Sequence, residues 1–257
     1  MNTTISVTKS LKSKDNRLIL SDYDSFAWAK SFLSASEINF LKSASKNEVP
    51  SVFLPREAGA CIIQFLKKEE NIHYSREEAR IAGNEILTTL AHYKIKSIVI
   101  SNHCKENRVI EFVEGMALGN YQFLKYFKDK KEKTNCLKEI RLEPGLISPQ
   151  ALKELKAVLE ATCNARDLVN EPQSYLSARR LANEIVGFGK KYGFKVDVFD
   201  KKKIERLKMG GVLAVNKGSI APPTFSVLEW KPAKAKNKKP IVLVGKGIVY
   251  DLSLIHI

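Results

Sequence analysis

A lysine and an aspartate five positions apart, Lys246 and Asp251, follow directly on the run Ile241-Val242-Leu243-Val244, with Gly245 and Gly247 flanking the lysine. The run reads as a buried strand. A carboxylate is a hard oxygen donor, and glycine lets backbone crowd an ion. A strand end carrying Lys and Asp on a glycine-loosened loop therefore suits metal chemistry. The same residues also suit a phosphate contact or a solvated charge, so the spacing alone leaves all three open.

Three upstream segments narrow the choice. Asn164-Ala165-Arg166-Asp167-Leu168-Val169-Asn170-Glu171-Pro172 comes first, then Met209-Gly210-Gly211-Val212-Leu213-Ala214-Val215-Asn216-Lys217-Gly218-Ser219, then Pro222-Pro223. Together with Val242 to Asp251, and in that order and spacing, they resemble the leucyl aminopeptidase family, the M17 metallopeptidases or cytosol aminopeptidases. The likeness is specific from Ala165 to Asp251. It is looser over the first 145 residues, where Glu114-Gly115-Met116-Ala117-Leu118-Gly119-Asn120-Tyr121 is the most family-like piece. Two departures are small: Glu171 stands where a small hydroxyl residue is usual, and Asn216 where glycine is usual. Asparagine is the side chain that best tolerates positive φ, so the second is expected to be structurally neutral.

The resemblance implies an α/β fold: an N-terminal macro-like α/β domain over residues 1–145, a linker helix over 146–162, and the first half of an α/β zinc-peptidase-type domain over 163–251. It also implies a two-metal aminopeptidase acting on peptide substrates and assembled as a homo-hexamer. Two divalent cations, Mn2+ or Zn2+, would hold the substrate amine and activate water. By position, Asp251 would bridge both metals and Lys246 would ligate one through its amine. An amine ligand must be neutral, which requires other carboxylates to hold the cation beside it. In the family those ligands, the catalytic lysine and a bicarbonate-binding arginine all follow the aspartate, after a hydroxyl-Gly-Gly turn.

Here the continuation is Leu252-Ser253-Leu254-Ile255-His256-Ile257. These six residues are expected to be a non-native tail, with a genuine short strand as the alternative. The chain is accordingly expected to be a fragment without catalytic residues of its own, binding metal weakly or not at all and inactive as a peptidase.

Composition restricts the remaining classes. The 257 residues are 44% apolar, enough for globular cores, and no window approaches the roughly 18 unbroken apolar residues of a membrane span. The first residues lack the apolar core of a secretory signal, so a cytoplasmic location is expected. Cys61, Cys104, Cys136 and Cys163 are isolated in sequence and are expected to be reduced thiols. His103-Cys104 would need two further ligands to hold a metal.

The net charge of +15 raises nucleic acid or an acidic partner, and a basic α/β binding or assembly module is the competing reading. The lysines, however, fall in short clusters: Lys128 to Lys133, Lys201 to Lys203, and Lys234 to Lys239. No aromatic residues are seen to alternate with them, which argues for solvated loops and against nucleic acid.

The elements that must position these residues follow from local pattern. In the first region, Cys61 to Leu66 and Ser97 to Ser101 read as strands. Ser75-Arg76-Glu77-Glu78 reads as a capping box opening a helix through Ile81, Ile86 and Leu90. Val109, Phe112, Val113, Met116, Asn120 and Phe123 recur at helical spacing. This alternation predicts an α/β layer structure with Ile140-Arg141-Leu142 near its close. With no Gly-x-Gly at a strand end, no phosphate cradle is expected, and a scaffold or assembly role is the better assignment. Ser148-Pro149 predicts the start of the bridging helix and Pro172 its end.

In the second region Ser177 is expected to cap a helix that stops at Tyr192-Gly193. Lys195 to Phe199, Phe225 to Trp230 and Ile241 to Val244 are expected as strands. Lys202 to Met209 is expected as a short helix ended by Gly210-Gly211. Cutting a domain beside such a strand leaves an open apolar edge, so aggregation is expected.

Overall fold

The computed structural model describes residues 3–247, and the chain divides into two units, Met1–Ala165 and Arg166–Ile257.

The first unit is built on strands β1 (Thr4–Val7), β2 (Arg17–Asp22), β3 (Ser51–Pro55), β4 (Ala60–Leu66), β5 (Ser97–Asn102) and β6 (Glu139–Leu142). They form one sheet in the order β1-β6-β5-β2-β4-β3. Every pairing is parallel except the β3–β4 hairpin at one edge. The sheet is covered on both faces, as parallel strands require. Along β4 all residues are buried, and successive side chains serve opposite layers. Ile62 and Leu66 join one core with Leu18, Leu20, Ile98 and Ile100. Cys61, Ile63 and Phe65 join another with Ile19, Val52 and Leu54.

Helix α1 (Ala35–Lys46) covers the second core with Leu41 and Ala44. A capping box opens it, Ser34 and Glu37 each serving the other's backbone N–H. Helices α2 (Ile72–His92) and α3 (Val109–Gly119) cover the first core through Ala79, Ile86, Leu90, Phe112, Val113 and Met116. Their backbones touch. A Cβ added at Gly83 would lie 2.1 Å from the Phe112 carbonyl oxygen, and one at Gly115 2.0 Å from that of Arg80. Glycine is required at both positions by approach rather than by φ. The single-turn helix α4 (Lys130–Lys133) and the long helix α5 (Pro149–Asn170) follow, and Leu155 and Leu159 of α5 join the first core. Ser148 accepts from the Ala151 N–H at 3.1 Å, which supplies the expected cap before Pro149.

Two expectations for this unit are corrected. Ser75 does not cap α2; Asn71 does, accepting from His73 N–H at 2.8 Å. Ser75 lies a turn inside and fully buried, where Arg108 donates to its hydroxyl at 3.1 Å. The four-residue cap pattern was matched by a buried polar bond instead. The α3 periodicity also ends early: the helix stops at Gly119, and Asn120 turns inward to donate to Thr3 and to the Leu137 carbonyl.

The second unit continues from α5 into α6 (Ala178–Tyr192), β7 (Lys195–Phe199), α7 (Lys201–Arg206), α8 (Gly210–Asn216) and β8 (Phe225–Glu229). Ser177 caps α6, and Gly193 ends it in the left-handed conformation at φ 76°. β7 and β8 pair antiparallel, and α6 packs on both. The short helix expected to run to Met209 ends at Arg206, capped by Leu207 and followed by Lys208 at φ 54°, so Gly210-Gly211 do not stop it. They open α8, which holds the family-like segment as far as Asn216.

Candidate metal centre

The last described stretch holds the first of the two proposed ligands. Ile241, Val242, Leu243 and Val244 are 84%, 72%, 92% and 93% exposed, and Lys246 is exposed beside them. The expected strand does not form: among the described residues nothing pairs with this run. A four-residue apolar run becomes a strand only where a neighbour accepts its N–H and C=O groups, and that partner is a tertiary fact. Near its end, the position a Cβ would take at Gly247 lies 3.7 Å from Leu181 of α6. Asp251 and the tail 252–257 lie outside the described residues.

No carboxylate is brought to Lys246 among the described residues, and no cluster of three His, Cys, Asp or Glu able to hold a metal is found among them. Of the two proposed ligands the described residues thus hold only the Lys246 amine, and one amine by itself does not hold a divalent cation.

The segments leading to Lys246 sit on distinct elements. Asn164 to Asn170 complete α5, Gly210 to Asn216 are α8, and Pro222-Pro223, the second proline buried, lead into β8. Asn216 does not take the positive φ expected of a glycine substitute; it closes α8, and its side chain donates to the Ala221 carbonyl at 3.0 Å. An amide replaces glycine here by making a bond that glycine could not.

The other polar clusters have local explanations. His103 stacks on Trp28 with centroids 4.8 Å apart and planes 7° apart. Burial pushes the neighbouring Cys104 thiol up to about 12, and the Asp22 carboxylate adds to it, so the thiolate nucleophile is suppressed. No disulfide joins any of the four cysteines, and Cys61 and Cys163 are buried. Lys203, from one basic cluster, reaches Asp197 at 3.1 Å and lies over the Phe199 ring.

At the carboxyl ends of β2 and β4, where open α/β sheets commonly bind ligands, stands Arg108, 2% exposed. It donates to the Lys67 carbonyl at 2.7 Å and to Glu78 at 3.2 Å, with Asp22 at 3.9 Å. Burial of Glu78 raises its pKa, which the arginine counteracts. An ion cluster therefore fills that edge of the sheet.

One feature escaped the sequence reading. Tyr126 and Phe127 stand directly before the first lysine cluster and are 53% and 45% exposed. The pair stands beside the lysine cluster and does not alternate with its lysines. The adjacency was visible in the order Lys125-Tyr126-Phe127-Lys128; the exposure was not.

Comparison with known proteins gives the site its context. Residues 163–253 match the catalytic-domain model of the cytosol aminopeptidase family. A probable cytosol aminopeptidase of Clostridium perfringens is 37% identical over 200 residues, covering 74% of this chain and 40% of that protein. One from Chlorobaculum parvum is 60% identical over 87 residues, 34% of this chain and 17% of its own length. Among solved structures, a tomato leucine aminopeptidase mutant superposes with a TM-score of 0.76 at 20% identity, covering 98% of this chain and 55% of that one. A bottromycin maturation enzyme solved in complex with Mn gives 0.62 at 20% identity, covering 86% and 46%. At those identities the structural likeness speaks for the fold alone. The chain spans less than half the length of these curated relatives. With four sequence segments, the catalytic-domain match and the shared α/β fold in agreement, the chain belongs to the cytosol aminopeptidase (M17) family.

Proposed function

We propose that the protein carrying this sequence is a metallo-aminopeptidase that removes N-terminal residues from peptides in the cytoplasm. The observation that carries this reading is the match of residues 163–253 to the family's catalytic domain. We also retain the partition into an N-terminal domain (1–145), a linker helix (146–162) and the opening of the catalytic domain (163–251), with a homo-hexamer as the assembly.

In this reading Asp251 and Lys246 would be among the residues that hold two divalent cations, the aspartate through its carboxylate and the lysine through a neutral amine. Manganese or zinc suits such oxygen and amine donors. When bound, the cations supply Lewis acidity at the scissile carbonyl and a nucleophile from water near neutral pH. The chain's own residues supply placement. Gly245 and Gly247 leave space around Lys246, and the exposed Val242 to Val244 stretch carries it at the end of an apolar run that a neighbouring strand would order.

One amine and one carboxylate do not hold a metal pair, so the 257-residue polypeptide is expected to release no leucine from leucine amide with added manganese. The gene read past the codon for Ile257 provides the larger test. If a hydroxyl-Gly-Gly turn, a lysine and acidic residues follow Asp251 in frame, the longer protein should cleave leucine amide, and Asp251→Asn should lower kcat at least about 100-fold. Full activity in Asp251→Asn, or peptidase activity in the 257-residue chain, overturns the assignment of roles.

A further inference from the structure

A cleft of about 470 Å³ opens between helix α2 and the end of β4, and Gln64 lines it. This glutamine is 3% exposed and lies on the α2 side of the sheet, between Ile62 and Leu66 in the alternation of β4. Its amide nitrogen donates to the Pro50 carbonyl at 3.0 Å and to the Phe65 carbonyl at 3.1 Å, which fixes the other end of the amide as oxygen. Among the described residues nothing donates to that oxygen, Oε1, and it is not sealed from solvent. The opening that Gln64 lines is this cleft. A nearly buried acceptor is thus left to whatever enters.

The walls are also made of acceptors. α2 contributes Glu77 and Glu78, then Ile81, then Glu85, and Glu69 lines the cleft from the segment before the helix. Glu78 is held by Arg108 at 3.2 Å and Glu77 by Arg80 at 3.3 Å. Among the described residues neither Glu69 nor Glu85 takes part in an ion pair or a hydrogen bond. Lys67 also lines the cleft, but its ammonium is drawn to Glu48 at 3.1 Å.

We propose that this cleft binds a linear aliphatic polyamine, its ammonium groups meeting the Gln64 oxygen and the Glu69 and Glu85 carboxylates and its methylenes lying against Ile81. Acceptors in need of donors select a ligand that is all donor, and an ammonium group is one. Glu78 and Glu85 lie seven residues apart, about 10 Å along the helix axis, with Ile81 between them. A cation centred on one atom cannot serve both levels, whereas amines joined by methylenes can. A divalent metal ion is disfavoured further, since no group of three His, Cys, Asp or Glu able to hold one is found among the described residues. The phosphates of nucleic acid or of an anionic membrane would meet carboxylates. A peptide segment would bring a carbonyl acceptor with every residue into a cleft already rich in acceptors. The cleft lies wholly in the first unit and no proposed metal ligand lines it, so it stands or falls separately from the peptidase reading.

The test is equilibrium dialysis of the 257-residue chain against radiolabelled spermidine at about 50 mM salt and neutral pH. One site with a Kd of about 100 µM or tighter is expected, weakening at least about threefold at about 300 mM salt. Butylamine, with one ammonium group on a similar chain, should compete at least about tenfold less well. Glu69→Gln and Glu85→Gln should each weaken spermidine binding at least about threefold with the melting temperature unchanged, since neither carboxylate has a partner to lose. Glu57→Gln removes the same charge from the exposed β3–β4 turn and should leave binding unchanged.

An equal loss from Glu57→Gln, or displacement of spermidine by an equal concentration of Mg2+, would reduce the effect to bulk charge and overturn the proposal. No retention of spermidine up to about 1 mM would also overturn it. Tighter competition by a capped Lys-Ala-Lys peptide than by spermidine itself would overturn it in favour of a basic protein segment.

Discussion

The two units of this chain use the same elements to different ends. In Met1–Ala165 a six-stranded sheet has helices on both faces, and side chains such as Leu18, Ile62, Ile98 and Phe112 are wholly buried. In Arg166–Ile257 a two-stranded sheet has α6 against it, and the buried positions among its described residues are Ala182, Gly189, Ile204 and Pro223. Val227, Leu228, Trp230 and Ile241 to Val244 of that unit face solvent. The local signals are equally good in both. Ser177 and Gly193 bound α6 as cleanly as Ser34 opens α1. What differs is the apolar area each arrangement removes from water, and a two-stranded ribbon is marginal by itself. Correct local structure is therefore no guarantee of a stable unit.

The largest expected effect comes from separating the two. A polypeptide ending at Ala165 should unfold cooperatively on heating, followed by circular dichroism, whereas residues 166–257 alone should show no cooperative transition and should aggregate. A sharp transition in the second piece would break the comparison outright.

Next in size is Arg108→Ala. Removing a buried guanidinium leaves Glu78 and Asp22 facing each other without their cation, and a loss of about 3–5 kcal/mol is expected by urea unfolding of the first unit. A loss below about 1 kcal/mol would mean that the cluster fills space without bracing the sheet edge.

Gly115→Ala should cost about 1–3 kcal/mol in the same measurement. Its Cβ meets the Arg80 carbonyl, a backbone atom that can yield only if α2 and α3 separate. Gly187→Ala, in α6 of the second unit, has nothing within 4 Å of the added carbon and should leave that transition unchanged.

The smallest effect is a pH dependence. The Arg56 guanidinium, followed by the Ser34 N–H, holds Glu37 down from 4.5 to about 2. The folded value lies below the unfolded one, so this contribution is full above about pH 4.5 and is lost as pH falls through about 2. The melting temperature of the first unit should therefore drop across that window, and Glu37→Gln should flatten the drop.

Sequence alone determined the family, through residue identities from Ala165 to Asp251, and the elements with their own local grammar. β4, β5, β7 and β8 were legible from β-branched and alternating runs, and α6 from its serine cap and terminal glycine, because those signals act between residues a few positions apart. β1 and β2 escaped notice, and so did α1 and β3. β1 is four residues long and becomes a strand only because β6 pairs with it at Thr4–Glu139 through Val7–Leu142.

Other outcomes rested on contacts distant in sequence. Ser75 carries a capping pattern, yet Arg108, 33 residues on, claims its hydroxyl. Ile241 to Val244 has the composition of a buried strand and stays exposed, because burial needs a neighbouring strand that composition cannot name. The candidate site divides in the same way: Lys246 and Asp251 were readable as residue types at a spacing, while the absence of a carboxylate beside Lys246 among the described residues is a matter of three-dimensional placement. Local chemistry selects conformations, and only tertiary packing decides which backbone groups and side chains find partners.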